Sequence, residues 1–201
     1  MLPITIRPEQ PGDYNAILRL TYEAFLTLEY PGRQRVDEHF FIHLLRGSAS
    51  VISALSFVAV FSGEIVGHIV YTNSKVVRGD GTEKAAITFG PLSVSPRYHR
   101  QGIGAALVAH SMEKAKAMGF GAVLIIGVPE YYPKLGFLRA RKFGLTLENE
   151  TDSDAFMAYE LVPGYLHYGG KAIFLAPEVE QCEVDAAGFS AFHAQFMRDY
   201  I

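Results

Sequence analysis

Apolar and polar positions along this chain follow two rhythms, and the switches between them mark its elements. Residues 4–7 read as a short strand, which Pro8 closes. Asp13 then offers an N-cap, and Ile17, Leu20, Ala24 and Leu28 recur at helical spacing, predicting a first helix over residues 13–28. Pro31-Gly32 breaks that helix. A second is expected over residues 36–46, with Phe40, Leu44 and Leu45 on one face. The pattern then turns to strands. Residues 57–61 and 64–77 flank Ser62-Gly63, a two-residue hairpin signal, and the polar run Arg78-Gly79-Asp80-Gly81-Thr82 leads into a third strand over residues 85–94. That strand contains Pro91, which cannot donate to a ladder and so belongs at an edge or a bulge.

The strongest helical pattern spans residues 102–118. Ile103, Leu107, Val108, Ala115 and Met118 form its apolar face, and Gly119-Phe120 suits a C′ glycine with an apolar residue after it. Residues 121–127 are an unbroken apolar run, as buried parallel strands are. Pro129 fits the first position of a short helix reaching Leu135. Further strands are expected near residues 136–141, 155–161 and 171–175. The order predicts an α/β fold built on a mixed sheet, with one domain over residues 1–176. Residues 177–201 form an extension in which Phe189, Phe192, Phe196 and Tyr200 line one face of a helix expected to pack back on the domain.

Composition narrows the function classes. A chain of 201 residues that is 49% hydrophobic and 19% charged can bury a core of its own. Its net charge of −3 argues against broad nucleic-acid binding, which needs a basic surface. Cys182 is the single cysteine, so an intrachain disulfide is excluded. The apolar runs are far shorter than the roughly 20 residues that span a bilayer. A cytoplasmic protein that binds neither membrane nor metal is the expectation, and a homodimer is compatible with it.

One segment carries candidate chemistry. Ser95-Pro96-Arg97-Tyr98-His99-Arg100-Gln101-Gly102-Ile103-Gly104-Ala105-Ala106 follows a strand and opens the strongest helix. The first amides of a helix lack internal partners and lie at the positive end of its dipole. Gly102 and Gly104 remove side chains that would hold an anion away, so a diphosphate is a natural guest. Alone, such glycines serve tight helix–strand packing equally well. The dinucleotide fingerprint fits less well, because its third glycine is missing.

The wider constellation is more specific. Leu92-Ser93-Val94-Ser95-Pro96, then His99, Gly102 and Gly104, then Tyr132 followed by Gly136-Phe137 resembles the GNAT superfamily of N-acetyltransferases. The longer forms Phe89-Gly90-Pro91-Leu92 and Pro129-Glu130-Tyr131-Tyr132-Pro133-Lys134-Leu135-Gly136-Phe137 resemble its YhbS-like branch. His99 departs from the family, which opens this loop with Arg or Gln.

The resemblance implies a GNAT-like acyl-CoA N-acyltransferase fold, with a largely antiparallel sheet splayed between strands 4 and 5 and flanked by helices. It implies acetyl-CoA as co-substrate, lying in that gap. Contacts to it map to Leu92, Ser93 and Val94 and to the turn Arg100, Gln101, Gly102, Ile103, Gly104 and Ala105. The Leu92 backbone N–H would face the thioester carbonyl, and Tyr132 would be the general acid. A tyrosine titrates near 10 and a thiol at about 8.5, so the phenol is protonated at neutral pH and can supply the departing thiolate. The acceptor, a primary amine on a small molecule or peptide, would meet Glu29 and Tyr30 near the first helix–loop–helix. Glu23, Glu29, His39 and His68 are conceivable bases, and none is singled out; His68 fits a satisfied sheet histidine. A non-catalytic acyl-CoA sensor, an enzyme for longer acyl chains and a phosphate-binding protein unrelated to CoA are the competing readings.

Overall fold

The computed structural model describes residues 2–28, 35–148 and 153–201. The chain runs β1 (Thr5–Pro8), α1 (Tyr14–Leu26), α2 (Glu38–Leu45), β2 (Phe57–Phe61), β3 (Glu64–Val77), β4 (Glu83–Val94), α3 (Ile103–Ala117) and β5 (Ala122–Ile126). It continues with β6 (Leu138–Arg139), β7 (Leu145–Leu147), β8 (Phe156–Glu160), β9 (Gly170–Phe174), α4 (Glu178–Val184) and α5 (Ala186–Tyr200). The strands form one mixed sheet in the order β1-β2-β3-β4-β5-β8-β6. Every neighbour on that path is antiparallel except β4 and β5, which run parallel. The long β3 holds β2 along its first half and β9 along its second, and β7 lies parallel to β9.

Local chemistry sets several of these boundaries. Ser62 and Gly63 both take positive φ, 50° and 82°, which joins β2 to β3 as a tight hairpin. Gly119, at φ +90°, ends α3: its N–H reaches the Lys116 carbonyl while the Phe120 N–H reaches Ala115. That is a Schellman closure. Asp13 does not cap α1 as expected. Pro11 starts a 3₁₀ turn ahead of the helix, so Asp13 is already helical, and its carboxylate accepts from the Gln10 N–H at 2.8 Å and from Arg7 at 2.6 Å. Pro129 likewise falls in a turn, and the helical residues are Tyr132–Leu135, with Pro133 at their start.

Alternation along the strands divides the core between the two faces of the sheet. On one face Ile69, Tyr71, Ile87 and Phe89 pack with Ile103, Leu107 and Val108 of α3. Gly67 permits the contact, since a Cβ there would stand 2.9 Å from Ile103 and Leu107. On the other face Val58 and Val70 meet Ile17 and Leu18 of α1, Ile42 and Leu45 of α2, and Phe196 of α5. Phe189, Phe192, Phe196 and Tyr200 all lie on the α5 face turned inward, with Phe189 and Phe192 against Phe40. No described helix is long and apolar enough to cross a membrane.

Candidate functional site

The site begins with a defect in β4. Ile69 pairs with Leu92 and Tyr71 with Phe89, so Gly90 and Pro91 together face the single residue Val70. The expected bulge is therefore at Pro91, whose peptide bond to Gly90 is cis. Just before it the sheet parts. β4 pairs with β5 only at Ile87–Val123 and Thr88–Leu124. Beyond that, residues 89–94 keep only β3, while β5 keeps only β8, which lines its other edge throughout.

The ladder phase decides which groups enter the gap. In an antiparallel pair, alternate residues turn their main-chain groups to opposite edges. The Ser95 N–H donates to Val66 at 2.9 Å, so Ser93, two residues back, also faces β3. Leu92 and Val94 therefore direct their main-chain groups into the gap. The Val94 carbonyl accepts a hydrogen bond from His99 Nε2 at 3.0 Å. Ser93 has no part in the opening: its hydroxyl is fully buried on the other face, 3.0 Å from that of Thr21 on α1.

The amino end of α3 faces the same gap. Arg100 (φ 61°) and Gly102 (φ 86°) are left-handed, turning the chain sharply into the helix. The first helical bond runs from the Ala106 N–H to the Gly102 carbonyl, so the N–H groups of Ile103, Gly104 and Ala105 have no partner within the helix. Gly102 carries no side chain to cap them. The side chains of Arg100 and Gln101 are exposed, that of Ile103 is in the core, and Ala105 is half-buried. From Ala105 a groove of about 510 Å³ follows α3 to Lys116, opposite Lys134 and Leu135.

Two adjacent tyrosines fill different parts of the opening. Tyr132 stands where the strands separate, its ring 5.8 Å from that of Phe89 and 5.7 Å from that of Phe137. Gly127, just past β5, makes room for it: a Cβ there would lie 2.3 Å from the ring. Gly136, left-handed at φ +91°, ends the turn and returns Phe137 to the core. Tyr131 reaches further along the gap, and its hydroxyl stands 2.8 Å from where a Gly104 Cβ would be, with Val94 and Leu92 beside it. Burial pushes the Tyr131 hydroxyl above its ordinary pKa, so it remains a proton-bearing donor at neutral pH.

The conceivable bases fare differently. Glu29 and Tyr30 lie outside the described residues. Glu23 is partly exposed on α1, 3.9 Å from Arg19. His39 is buried among aromatic rings and bonded to His193 at 3.0 Å. His68 is buried beside Glu9, 3.3 Å away, and Ser56. Cys182 is buried on α4, where desolvation and then Asp37 push its thiol to about 12, far from a ready nucleophile. Among the described residues no group of His, Cys, Asp and Glu is arranged to hold a metal. Sequence reasoning missed the placement of Tyr131 against Gly104 and the engagement of His99 with Val94. The doubled tyrosine was the only signal for the first, and nothing local signalled the second.

This geometry has parallels in known proteins. Residues 15–142 match the acetyltransferase (GNAT) family. An uncharacterized N-acetyltransferase of Escherichia coli K12, YjhQ, is 34% identical over 84 residues, 42% of this chain and 46% of that protein. YhbS of the same strain, also an uncharacterized N-acetyltransferase, is 25% identical over 105 residues, 52% of this chain and 61% of its own length. The chain thus spans about half the length of the curated relatives it matches. Among solved structures, YhbS from Escherichia coli in complex with CoA aligns with a TM-score of 0.76 at 24% identity, covering 90% of this chain and 93% of that one. A GNAT family acetyltransferase from Brucella melitensis in complex with acetyl-CoA gives 0.68 at 24% identity, covering 88% and 98%. These likenesses establish the shared fold.

Proposed function

The chain belongs to the acetyltransferase (GNAT) family, and from that premise we propose that it transfers the acetyl group of acetyl-CoA directly to a primary amine. The observation that carries this reading is the uncapped amino end of α3 opening onto separated strands, where Gly104 brings its backbone up to Tyr131, Val94 and Leu92. The residues present fit the co-substrate. Amides of Ile103, Gly104 and Ala105 suit a diphosphate. Main-chain groups of Leu92 and Val94 suit an amide-bearing arm, and the groove toward Lys116 and Lys134 suits the rest of the nucleotide. Support also comes from the CoA and acetyl-CoA held by the two structural neighbours.

Acetyl-CoA supplies an acyl group activated as a thioester. The chain's own part is to orient that group and manage charge and protons around it. The Leu92 N–H donates to the carbonyl oxygen as negative charge develops there, an effect worth on the order of a hundredfold in rate. Tyr132, at the fork of the strands, gives its hydroxyl proton to the departing thiolate. The amine proton released to solvent balances the one that Tyr132 regains. His39 and His68 are both turned onto protein partners and take no step in this scheme.

Two measurements test the reading. Saturating acetyl-CoA should raise the melting temperature, since a ligand of the folded state alone stabilises it by mass action. A flat response would remove the cradle from the argument. Tyr132→Phe should lower kcat on an amine panel by about a hundredfold or more while acetyl-CoA affinity stays near wild type. Unchanged turnover would take Tyr132 out of the mechanism.

A further inference from the structure

Tyr131 has a polar atom with no evident use in the fold. Its ring is half-buried and held edge-on to that of Tyr132, with centroids 5.0 Å apart. Its hydroxyl has no hydrogen-bond partner among the described residues, yet it stands against the bare backbone of Gly104, 2.8 Å from where a Cβ would be. The hydroxyl makes no bond that the fold would lose, so it is available to an acceptor that enters the gap. The place where it stands is the one the cradle offers a ligand. Nearby, the loop's first side chain is already engaged, because His99 Nε2 donates to the Val94 carbonyl at 3.0 Å.

We propose that Tyr131 is a cofactor-binding residue whose hydroxyl donates a hydrogen bond to the acyl-CoA arm where it passes Gly104, a role His99 cannot fill. The inference rests on the acyl-CoA reading of the cradle. The chemistry fits, since the ligand presents phosphate and amide-carbonyl oxygens there, all of them acceptors, while a phenol that keeps its proton can only donate to them. It also divides the tyrosine pair: Tyr131 holds the arm at the helix end, and Tyr132 serves the sulfur at the fork.

Titration of CoA into the full chain, with steady-state kinetics on acetyl-CoA, separates the possibilities. Y131F should weaken CoA by about five- to tenfold, the worth of one hydrogen bond, and raise KM for acetyl-CoA while leaving kcat near wild type. Its melting temperature without ligand should be unchanged, because the hydroxyl gives up no bond in the free protein; a marked drop would show that the hydroxyl serves the fold and would overturn the proposal. H99A should leave CoA affinity within about twofold, and a loss there equal to that of Y131F would return the role to His99. If wild type binds CoA and Y131F binds it equally well, the proposal fails and the acyl-CoA reading stands. If wild type binds no CoA, both fail. Loss of kcat in Y131F with affinity intact would overturn the assignment and make Tyr131 the acid.

Discussion

The two halves of β4 have similar strand chemistry and opposite uses. Over residues 83–88 the strand has partners on both sides: β3 along one edge, β5 at Ile87 and Thr88 along the other, and the Tyr165 hydroxyl on the Ala85 carbonyl. Over residues 89–94 it keeps β3 alone. The first half commits its main-chain groups to the fold, whereas the second leaves those of Leu92 and Val94 facing a gap. The switch falls at Gly90-Pro91, where a residue without an N–H cannot hold a ladder position. A candidate binding edge is thus made inside a sheet by interrupting one strand, and helix α3 and the tyrosine turn border that edge.

The contrast can be broken by experiment, and the largest expected effect lies in the paired half. Ile87→Ala empties a fully buried position between β3 and α3 and should cost about 2–5 kcal/mol in urea-induced unfolding, with CoA affinity measured under native conditions unchanged. A loss of affinity larger than the loss of stability would mean that the halves are not separable. Gly104→Ala should act in the opposite sense. The added methyl removes a flexible helix residue and leaves stability equal or higher, but it meets the Tyr131 hydroxyl at 2.8 Å in the passage. CoA should bind about tenfold or more weakly, the equivalent of about 1.4 kcal/mol.

Acidification sharpens the comparison by loosening a third region first. Burial, and then the neighbouring His193, hold His39 down to a pKa of about 3, against an ordinary value near 6.5. The folded state thus prefers neutral His39, and its contribution is complete above about pH 6.5 and lost progressively as pH falls toward 3. Each pH unit in that window should weaken the seat of α5 on α1 and α2 by up to about 1.4 kcal/mol. Hydrogen exchange should therefore rise in α5 amides below pH 6 before it rises in β4. Simultaneous opening would show that α5 is not a separate unit. The smallest effect is expected at Leu92→Ala. Its side chain is only half-buried and its role is assigned to the main chain, so stability should fall by about 1 kcal/mol or less and turnover should change little. A large drop in turnover would move the role from the N–H to the side chain.

Much of the architecture was readable from residue pattern. The strands Phe57–Phe61 and Glu64–Val77 end where Ser62-Gly63 must turn, α3 ends where Gly119 takes a left-handed conformation, and the bulge follows Pro91. The proposed site rests on motifs that the sequence displays: the Gly102 and Gly104 turn, the Leu92–Val94 segment and the Tyr132 to Phe137 run. Asp13 was misread because the cap rule weighs one residue, whereas Pro11 shifted the helical start and a carboxylate at the third position reaches backward. The short β7 went unseen, since a three-residue strand has too few positions for its period to register.

The sequence by itself determined what depends on a residue's own backbone preferences and on the period of its neighbours: element types, turns, the bulge, and a helix start at Gly102 with no side chain to cap it. Tertiary structure decided the pairings between distant segments. It set β5 parallel to β4 for only Ile87 and Thr88, laid β9 along the free half of β3, and paired His39 with His193 across the α2–α5 contact. It also brought the Tyr131 hydroxyl to Gly104 while leaving Ser93 turned to Thr21. Such choices rest on which surfaces bury one another and which ladder phase a strand adopts, and a one-residue shift in phase would exchange the groups that face the gap for those that face β3.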